Sequence, residues 1–277
     1  MRCCHSTATV VARSTSPYTG TITTTLELVY PRYIHQELLT HRVVSRNASS
    51  SRATPVAAVI KEVREHPCFF DEVRKNQKGM VGGELLSPEE NARFHVEWDA
   101  LANHVANVAE KWATEYGIAK QTVNRVLEPF SYIRTLVTAT EWDNFFKLRL
   151  AEDAQPEIRN LALAMKDSMD YADKIGFSKV STSHIPYSYL FSEKGDDLVI
   201  RSVAACARVS IMRGDGKQTT IEEDRAFVKR LKDSGHMSPF EHVAKAAKVY
   251  DDTRFYNLIN WRSLRYYIDN ECEFILE

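Results

Sequence analysis

Residues 40–53 read Thr-His-Arg-Val-Val-Ser-Arg-Asn-Ala-Ser-Ser-Ser-Arg-Ala, and this stretch says more about the fold and the chemistry of the chain than any other. Three arginines, one histidine and four serines lie within it, whereas a core segment would be mostly apolar. Arginine forms forked, charge-assisted hydrogen bonds with an anion, and serine hydroxyls and backbone N–H groups supply further donors. The stretch, which we call the basic run, therefore predicts a phosphate site. The alternative is a solvated loop, and Asn47 and the serines argue against it because they are good phosphate ligands.

The segments before the basic run read as a hairpin and a helix. Residues 7–30 mix Thr with Val, Ile and Leu around the turn sequence Pro17-Tyr18-Thr19-Gly20, which predicts a β-hairpin. Pro31 then opens a helix, where it occupies a favoured first position, and Ile34 and Leu38 give this helix an apolar stripe. Because the helix leads straight into the basic run, we expect the basic groups at a defined edge of the fold.

Helical patterns dominate the rest of the chain. We predict helices at about 55–66, 88–115, 118–128, 141–150, 156–173, 196–208 and 220–234, strands at about 132–138 and 243–250, and a loop at about 174–195. A capping box at residues 87–90 starts the longest helix, and Gly235 closes the last one. The predicted inward faces are Phe94, Trp98, Leu101, Val105 and Val108 in the longest helix, and Ile158, Leu161, Ala162 and Met165 in the helix that Pro156 opens. These patterns predict one α/β domain over residues 1–277, with a helical insertion at about 55–128.

Composition excludes several classes of protein. The chain has 277 residues, 44% of them hydrophobic, so it can bury a sizeable core. Its net charge of −1 argues against bulk attraction to nucleic acid or to a membrane surface. No apolar run approaches the roughly 20 residues of a membrane-spanning helix, and the N-terminus lacks the apolar core of a signal peptide, so we expect a cytoplasmic protein. The five cysteines are scattered, which argues against a disulfide framework.

A second pattern lies at residues 235–242, Gly-His-Met-Ser-Pro-Phe-Glu-His, directly after a helix end. It reads as a capped turn in which Ser238 is the N-cap and Pro239 the first helical residue. It also reads as a metal site that uses His236, Glu241 and His242, but the spacing fits no zinc signature, so we predict no metal. The start of a helix suits an anion or a cofactor, and that interpretation is compatible with the capped turn.

Two further patterns are less specific on their own. Residues 144–149, Asn-Phe-Phe-Lys-Leu-Arg, form a helix whose Arg149 reaches another part of the same site, another subunit or the solvent, and Arg125 lies upstream. Residues 204–210, Ala-Ala-Cys-Ala-Arg-Val-Ser, are small enough for close packing, and Ser210 lies where the helical pattern ends. No cysteine and no Ser–His pair has the surroundings of a catalytic nucleophile.

Together the four patterns resemble the flavin-dependent thymidylate synthases. The family signature R-H-R-x-x-S-x-N-E-x-S-x-R-Y is similar to the basic run, and the family elements A-A-R-V-S and G-H-x-S/T-P-F-E-H are similar to residues 206–210 and 235–242. The family elements N-F-x-x-L-R and A-Q-x-E-I are similar to residues 144–149 and 154–158. The resemblance covers most of the chain. It implies a helix-rich α+β domain around a small, mostly antiparallel sheet.

The order of these elements differs from that of the common bacterial enzymes. There the A-A-R-V-S and G-H-x-S/T-P-F-E-H elements precede the basic signature, whereas here they follow it. The resemblance therefore implies a circularly permuted, phage-type member, and such a rearrangement is tolerated when the original termini lie close in space.

The resemblance also implies roles for individual residues. The residues expected to contact FAD are His41, Arg42, Asn144, Ser210, Ser238 and Glu241. The residues expected to contact dUMP are Glu37, Arg125 and Arg149, the last two from a neighbouring subunit, together with Ser50, Ser51 and Arg52 at the phosphate. Arg149, His236 and His41 are expected at the reacting atoms, with both histidines near the folate. Sites shared in this way imply a homotetramer.

The chain departs from the family pattern at several positions. These are Thr40, Ala48, Ala53, Thr138, Thr140 and Asp153. The phosphate end of the basic run is therefore better preserved than the end that faces the nucleobase and the folate.

The activity that the resemblance implies is reductive methylation of dUMP at C5. Methylenetetrahydrofolate donates the carbon, FAD carries hydride and NADPH is the reductant, so no enzyme nucleophile is required. Ala48 and Ala53 motivate one alternative, a related reaction such as hydroxymethylation of dUMP. The others are a flavin- or nucleotide-binding protein without turnover and a basic-loop nucleic-acid binder, against which the near-zero net charge argues.

Overall fold

The computed structural model describes residues 6–79, 81–210, 219–249 and 251–274. The strands of these ranges are β1 (Thr7–Thr15), β2 (Ile22–Pro31), β3 (Ser45–Ala48), β4 (Tyr132–Ala139), β5 (Lys179–Val180), β6 (Ser183–His184), β7 (Ala244–Ala246), β8 (Arg254–Phe255), β9 (Leu258–Ile259) and β10 (Trp261–Ser263). The helices are α1 (His35–Leu39), α2 (Val56–Glu65), α3 (Pro88–Thr114), α4 (Lys120–Leu127), α5 (Asp143–Arg149), α6 (Pro156–Lys174), α7 (Gly195–Ala207), α8 (Ile221–Asp233) and α9 (Leu264–Asp269).

The central sheet has five strands in the order β3-β4-β2-β1-β5. The pairs β1–β2, β2–β4 and β3–β4 are antiparallel, and only the short β5 lies parallel to its neighbour. The predicted hairpin is confirmed, with Gly20 at a positive φ of 74° in the turn, a backbone conformation that glycine adopts without strain. The α/β class and the mostly antiparallel sheet are therefore confirmed.

Strand β3 lies inside the basic run and was not predicted. Ser45 pairs with Thr138 and Ala48 with Thr135, which makes β3 the edge strand beside β4. Arginine, asparagine and alanine are poor strand formers, so the local sequence gives no strand signal. The pairing partner lies some ninety residues further along the chain, and tertiary contact decides the conformation here.

Helix α6 covers one face of the sheet. The four residues predicted to face inward, Ile158, Leu161, Ala162 and Met165, are all 0% exposed. They pack against Leu26 and Leu28 of β2. Each fully buried leucine or isoleucine stabilises the fold by about 1.5–3 kcal/mol, so this layer holds the sheet in place.

Helices α2, α3 and α4 pack around a core of their own. The Ser87 capping box at the start of α3 is confirmed, with both reciprocal hydrogen bonds present. The predicted inward face of α3 is partly wrong, because the buried residues are Ala102, Ala106 and Ala109 while Leu101 is 48% exposed. Small side chains let the three helices approach closely, and larger apolar residues remain at the margin.

The C-terminal part joins α7 and α8 to a small sheet in the order β10-β7-β6. Of the strand predicted at 243–250, β7 covers Ala244–Ala246, and residue 250 lies outside the described residues. The region predicted as a loop at 174–195 contains the two-residue strands β5 and β6. Among the described residues no helix is long and apolar enough to cross a membrane.

Candidate functional site

Strand β3 is where three of the four sequence patterns meet. Asn47 donates from Nδ2 to the carbonyl oxygen of Cys206 at 2.8 Å. The hydroxyl of Ser238 donates to Asn47 Oδ1 at 3.2 Å. One amide of the basic run therefore fixes both the 204–210 segment and the 235–242 segment. Ser238 and Asn47 are therefore in direct contact although they are 191 residues apart in the sequence.

The fourth pattern joins the basic run through Arg149. Its Nε donates to His41 Nε2 at 3.0 Å, and its Nη2 donates to Thr40 Oγ1 at 3.0 Å and to the Glu37 carbonyl at 3.1 Å. Its Nη1 lies 3.4 Å from Glu37 Oε2. All three nitrogens of this guanidinium thus contact residues of the same chain. We call Glu37, Thr40, His41 and Arg149 the arginine clamp.

Burial sets the protonation of the arginine clamp. His41 is 7% exposed and packs edge-on against Phe145 at 4.8 Å between ring centroids. Burial, and then the charge of Arg149, lower the pKa of His41, so the ring is neutral at pH 7. Because Nε2 accepts from Arg149, the proton lies on Nδ1. Burial raises the pKa of Glu37, and Arg149 opposes that shift.

The end of the basic run is a tight turn, residues 49–53, which we call the serine turn. The Ala53 N–H donates to the Ser50 carbonyl at 2.9 Å, and the Arg52 N–H donates to Ser50 Oγ at 3.3 Å. Ser50 and Arg52 are exposed, whereas Ser51 is buried. A hydroxyl and a guanidinium at the surface of one turn suit a phosphate.

Asn124 holds the serine turn from behind. Its Nδ2 donates to the carbonyl oxygens of Ser51 at 2.7 Å and Thr54 at 3.0 Å. Only the neighbouring Arg125 was predicted at the site, and its exposed side chain pairs with Glu128 at 3.2 Å in the same chain. Asn124 was missed because an asparagine inside a helical pattern gives no signal of the loop that it supports.

The residues predicted to contact FAD differ in how far they are already engaged. Arg42 and Asn144 are exposed, as is His236, which was predicted near the folate, whereas Glu241 accepts from Arg265 at 2.6 Å. Arg265 was missed, since it lies in an aromatic tail without a recognisable pattern. The side chain of Ser210 lies outside the described residues.

The predicted N-cap role of Ser238 is wrong. Residues Ser238–Glu241 form a short 3-10 helix whose N-cap is Met237, and no side chain caps it. The Ser238 hydroxyl is occupied by Asn47, so the turn is attached to β3 instead of being closed on itself.

A buried chain of hydrogen bonds lies behind β3 and was not predicted. Ser14 Oγ contacts His184 Nδ1 at 3.0 Å, His184 Nε2 contacts Thr25 Oγ1 at 2.7 Å, Thr25 contacts Thr138 Oγ1 at 2.6 Å, and Thr138 contacts His242 Nδ1 at 2.8 Å. We call these five residues the buried relay. Burial lowers the pKa of both histidines to about 3, so both rings are neutral. Only the fold brings these residues together, because they come from five separate segments.

Arg208 of the 204–210 pattern is held within the chain. Its Nη1 lies 2.6 Å from the buried carboxylate of Asp224, and its guanidinium stacks over Phe227 at 4.6 Å. Arg201 binds the same carboxylate at 2.9 Å. Arg208 therefore attaches the end of α7 to α8.

The metal interpretation of residues 235–242 has no support in the geometry. His242 uses Nδ1 in the buried relay, while His236 is exposed. Within the described ranges, no group of three His, Cys, Asp or Glu side chains is arranged to hold a metal ion.

Comparison with known proteins gives a family match and a set of structural neighbours. The sequence model of the Thy1 family, thymidylate synthase complementing protein, matches residues 12–172. No curated protein sequence matches the chain. Thymidylate synthase X from Helicobacter pylori, solved with FAD and dUMP, is 20% identical, with a TM-score of 0.37 over 53% of this chain and 67% of that chain. The UMP/dUMP methylase PolB from Streptomyces cacaoi, bound with 5-Br UMP, is 16% identical, with a TM-score of 0.46 over 62% of this chain and 90% of that chain.

Proposed function

Because this chain belongs to the thymidylate synthase complementing protein family, we propose that it is a flavin-dependent thymidylate synthase that converts dUMP to dTMP. The carbon donor is methylenetetrahydrofolate, and NADPH supplies the reducing equivalents through FAD. This transferase would work as a homotetramer in the cytoplasm. The tetramer, the cytoplasmic location and the permuted, phage-type order are parts of the proposal that rest on the sequence alone.

The observation that carries the proposal is the convergence of four separated patterns on one segment. Asn47 accepts a hydrogen bond from Ser238 and donates one to Cys206, and Arg149 donates one to His41. Residues 41–47 therefore contact all three other patterns. If the four patterns had only a structural role, their residues would need only to pack against one another. A structural role alone does not explain why polar residues of all four patterns share one surface with an exposed guanidinium and exposed hydroxyls.

The free groups on this surface fit an FAD. Arg42 is exposed, and the described residues offer it no ion pair, so its charge is available to a diphosphate. Trp142 Nε1 and His242 Nε2 are buried atoms without a partner among the described residues, and they lie close in sequence to Asn144 and Glu241, the residues that we assign to the cofactor. When bound, the flavin supplies the hydride chemistry. Ser238 and Glu241 orient it through the turn that Asn47 attaches to β3.

We assign the phosphate of dUMP to the serine turn and its base to the arginine clamp. Ser50 and Arg52 hold the phosphate, with Ser51 behind them. The resemblance implies that Arg149 enters the site from a neighbouring subunit, whereas here it contacts Glu37 of its own chain. We assign Arg149 to the negative charge that develops on the uracil ring, with Glu37 beside it in the same clamp. Arg125 reaches the nucleotide of a neighbouring subunit. His41, with a neutral ring, and His236 lie on the folate side.

A related reaction, hydroxymethylation of dUMP, is the second candidate. Ala48 lies in β3 beside Asn47, at a position where the family has a glutamate, and it brings no polar group to the base or folate end of the site. The loss of this carboxylate changes the base or folate end of the site and leaves the phosphate end of the basic run intact, which is why we keep this candidate.

The decisive experiment combines a spectrum with product analysis. The freshly purified protein should show the absorbance of oxidised flavin, which NADPH should bleach. Incubation with dUMP, methylenetetrahydrofolate and NADPH should then yield dTMP. Hydroxymethyl-dUMP without dTMP would support the second candidate. Flavin that NADPH does not bleach would indicate a binding protein without turnover, and a colourless protein that cannot be loaded with FAD would contradict the whole proposal.

A further inference from the structure

Arg134 of β4 lies directly beside the serine turn. The Ser49 N–H donates to the Arg134 carbonyl oxygen at 2.8 Å, and the Arg134 N–H donates to Ser49 Oγ at 3.2 Å. The first of these hydrogen bonds continues the β3–β4 ladder one residue beyond the pair formed by Ala48 and Thr135. Arg134 is therefore the cross-strand neighbour of the first residue of the serine turn.

The register fixes the face of the sheet on which the Arg134 side chain lies. Side chains alternate along a strand, so Asn47 and Ser49 share one face, and Arg134, opposite Ser49, shares it with them. On this face Asn47 contacts Cys206 and Ser238. Arg134 therefore lies between the serine turn and the surface on which the four sequence patterns meet.

One end of the Arg134 guanidinium is fixed by Glu27. Nη1 lies 3.3 Å from Glu27 Oε1, and the other carboxylate oxygen accepts from the Tyr187 hydroxyl at 2.7 Å. Because Tyr187 is only 5% exposed, it holds the carboxylate in place. Among the residues that the structure describes, Nε and Nη2 of Arg134 have no hydrogen-bond partner. The guanidinium is thus held at one nitrogen and keeps donors for a ligand at the other two.

Arg134 also lines a polar cavity that opens onto the serine turn. The cavity has a volume of about 210 Å³, and its lining includes Ser49 and Ser51 of the turn together with Val209 of the 204–210 segment. A water molecule occupies about 30 Å³ of liquid volume, so the cavity has room for a phosphate group in place of several waters. The Arg134 side chain is 32% exposed, so a ligand can reach it from the solvent.

The two carboxylates of the cavity lining are balanced by other arginines. Glu128 pairs with Arg125 at 3.2 Å. Burial lowers the pKa of Arg32, and the charges of Glu128 and Glu62 oppose that shift. Burial raises the pKa of Glu62, which favours its neutral form, and Arg32 opposes that shift more strongly than Arg134 does. The free nitrogens of Arg134 therefore remain available to an anion.

A phosphate at the serine turn needs more positive charge than Arg52 provides. A phosphate monoester carries a charge of about −1.5 to −2 at pH 7, whereas Arg52 contributes one positive charge. A second guanidinium with two free nitrogens can donate to two phosphate oxygens at once, a geometry that lysine cannot reproduce. Arg134 is the cross-strand neighbour of the turn and meets this requirement.

We propose that Arg134 is a specificity-determining residue that binds the 5′-phosphate of the nucleotide. Nε and Nη2 donate to the phosphate that Ser50 and Arg52 also contact, and Glu27 is a positioning residue that holds Nη1. The inference rests on the proposed function, since it takes the serine turn as the phosphate end of the dUMP site. Arg134 then helps the site to distinguish a nucleoside monophosphate from the nucleoside.

The test compares dUMP with deoxyuridine, which has the same base and sugar but no phosphate. In the full chain, Arg134→Met should weaken dUMP about tenfold and leave deoxyuridine unchanged, by calorimetry and NMR titration. The effect is expected at the low end for a charged contact, because Glu27 already balances part of the Arg134 charge. Unchanged dUMP affinity, or an equal loss for both compounds, would overturn the proposal.

Arg64→Met is the matched control. Arg64 has a similar exposure, 34%, and pairs with Glu110 at 2.6 Å on the helical insertion, so its removal changes the net charge and breaks an ion pair in the same way. It should leave the affinity for dUMP unchanged. A loss of dUMP affinity in Arg64→Met as large as that in Arg134→Met would show a long-range charge effect and overturn the proposal.

Two further measurements keep the inference separate from the folding of the variant and from the cofactor. In the wild-type protein, dUMP should shift the Arg134 Nε–H resonance and deoxyuridine should not, and an unmoved resonance at saturating dUMP would overturn the proposal. Arg134→Met should bind FAD as the wild type does. If only the affinity for FAD falls, Arg134 belongs to the cofactor and the proposal is wrong.

The outcomes also separate this inference from the proposed function. A wild-type protein that binds no dUMP would contradict the proposed function, and this inference with it. A wild-type protein whose dUMP affinity is independent of Arg134 would contradict this inference alone.

Discussion

The buried relay and the serine turn are built from similar residue types and are used in opposite ways. In the relay, Thr25, Thr138 and His184 are 0% exposed, and each of their hydroxyls and ring nitrogens has a partner within 3.0 Å, while His242 at the end of the relay pairs through Nδ1 only. In the serine turn, Ser50 and Arg52 are exposed and the guanidinium is free of described ion pairs. A buried polar group without a partner destabilises the fold, while an exposed one costs nothing and remains available to a ligand.

This difference predicts whether a substitution should change the free energy of unfolding or the affinity for a ligand. Removing a member of the relay leaves a neighbour unsatisfied in the interior, so the loss should appear as a lower free energy of unfolding. Removing a member of the serine turn leaves only solvated groups behind, so the loss should appear as a lower affinity. The arginine clamp is partly buried, so a substitution there should lower both the free energy of unfolding and the affinity.

The largest expected effect is acid destabilisation through the relay. The pKa values of His184 and His242 are about 3 in the fold, against an ordinary value of 6.5. Below pH 6.5 the unfolded chain takes up protons that the folded chain does not, so stability is lost as the pH falls from 6.5 towards 3. The loss should reach about 1.4 kcal/mol per pH unit for each histidine. Urea unfolding followed by tryptophan fluorescence between pH 7 and pH 4 measures it.

Matched variants isolate the contribution of the relay from that of carboxylates. His184→Gln and His242→Gln should each flatten the dependence of unfolding free energy on pH, whereas His104→Gln, at an exposed position of α3, should not. If His242→Gln leaves the slope of the curve unchanged, the fold does not lower the pKa of His242, and its part of the prediction is wrong.

The next effect in size is expected for Thr138→Val. Valine has the shape of threonine without the hydroxyl, so His242 Nδ1 loses its partner and Thr25 keeps only His184. One unsatisfied buried group costs about 1–3 kcal/mol of unfolding free energy. Urea unfolding at pH 7 measures this loss. The control is Thr9→Val, exposed on β1, for which a change within about 0.5 kcal/mol is expected.

The same contrast explains how much of the fold the sequence could predict. The hairpin at residues 7–30 and helices such as α6 depend on local periodicity and turn residues, and these predictions are confirmed. Strand β3 was missed because its residues have no strand propensity and form a strand only beside β4. The inward face of α3 was partly wrong, since close helix packing selects alanines that hydropathy alone does not favour.

The residues of the candidate site likewise fall into a group that the sequence predicted and a group that it did not. Residues of the basic run were found from their composition, because charged and hydroxyl side chains in a short segment are unusual for a core. Asn124, Arg265 and the relay were missed because each acts on a partner from a distant segment, as Asn124 does on Ser51 across 73 residues. A single asparagine or threonine carries no signal of that kind. Thr138, a departure from the family pattern, is a member of the relay.

A smaller effect on stability is expected for Arg149→Met. The clamp is only partly buried, with side-chain exposures of 20% for Arg149 and 29% for Glu37, so solvent screens the pair and we expect a loss of about 1 kcal/mol. The charge of Arg149 adds to burial in lowering the pKa of His41. Its removal should therefore raise the pKa of His41 part of the way towards 6.5. Titration of the His41 ring protons by NMR measures the shift.

The control for the clamp is Lys147→Met on the exposed side of the same helix. It changes the net charge equally but touches no member of the clamp. A His41 pKa that moves as much in Lys147→Met as in Arg149→Met would show that the effect is long-range charge and not the contact at 3.0 Å.

The smallest effect on stability and the clearest effect on binding are expected for Arg52→Ala. Since the side chain is exposed, the free energy of unfolding should change by less than about 0.5 kcal/mol. A charge-assisted contact to phosphate contributes about 1.5–3 kcal/mol, so calorimetry should find dUMP bound about 10- to 150-fold more weakly. Lys61→Ala, an exposed cation of α2 that follows the serine turn, is the matched control and should leave the affinity unchanged. If Arg52→Ala instead lowers stability by more than 1 kcal/mol and leaves dUMP binding intact, the serine turn is a structural element like the relay, and the contrast between the two regions fails.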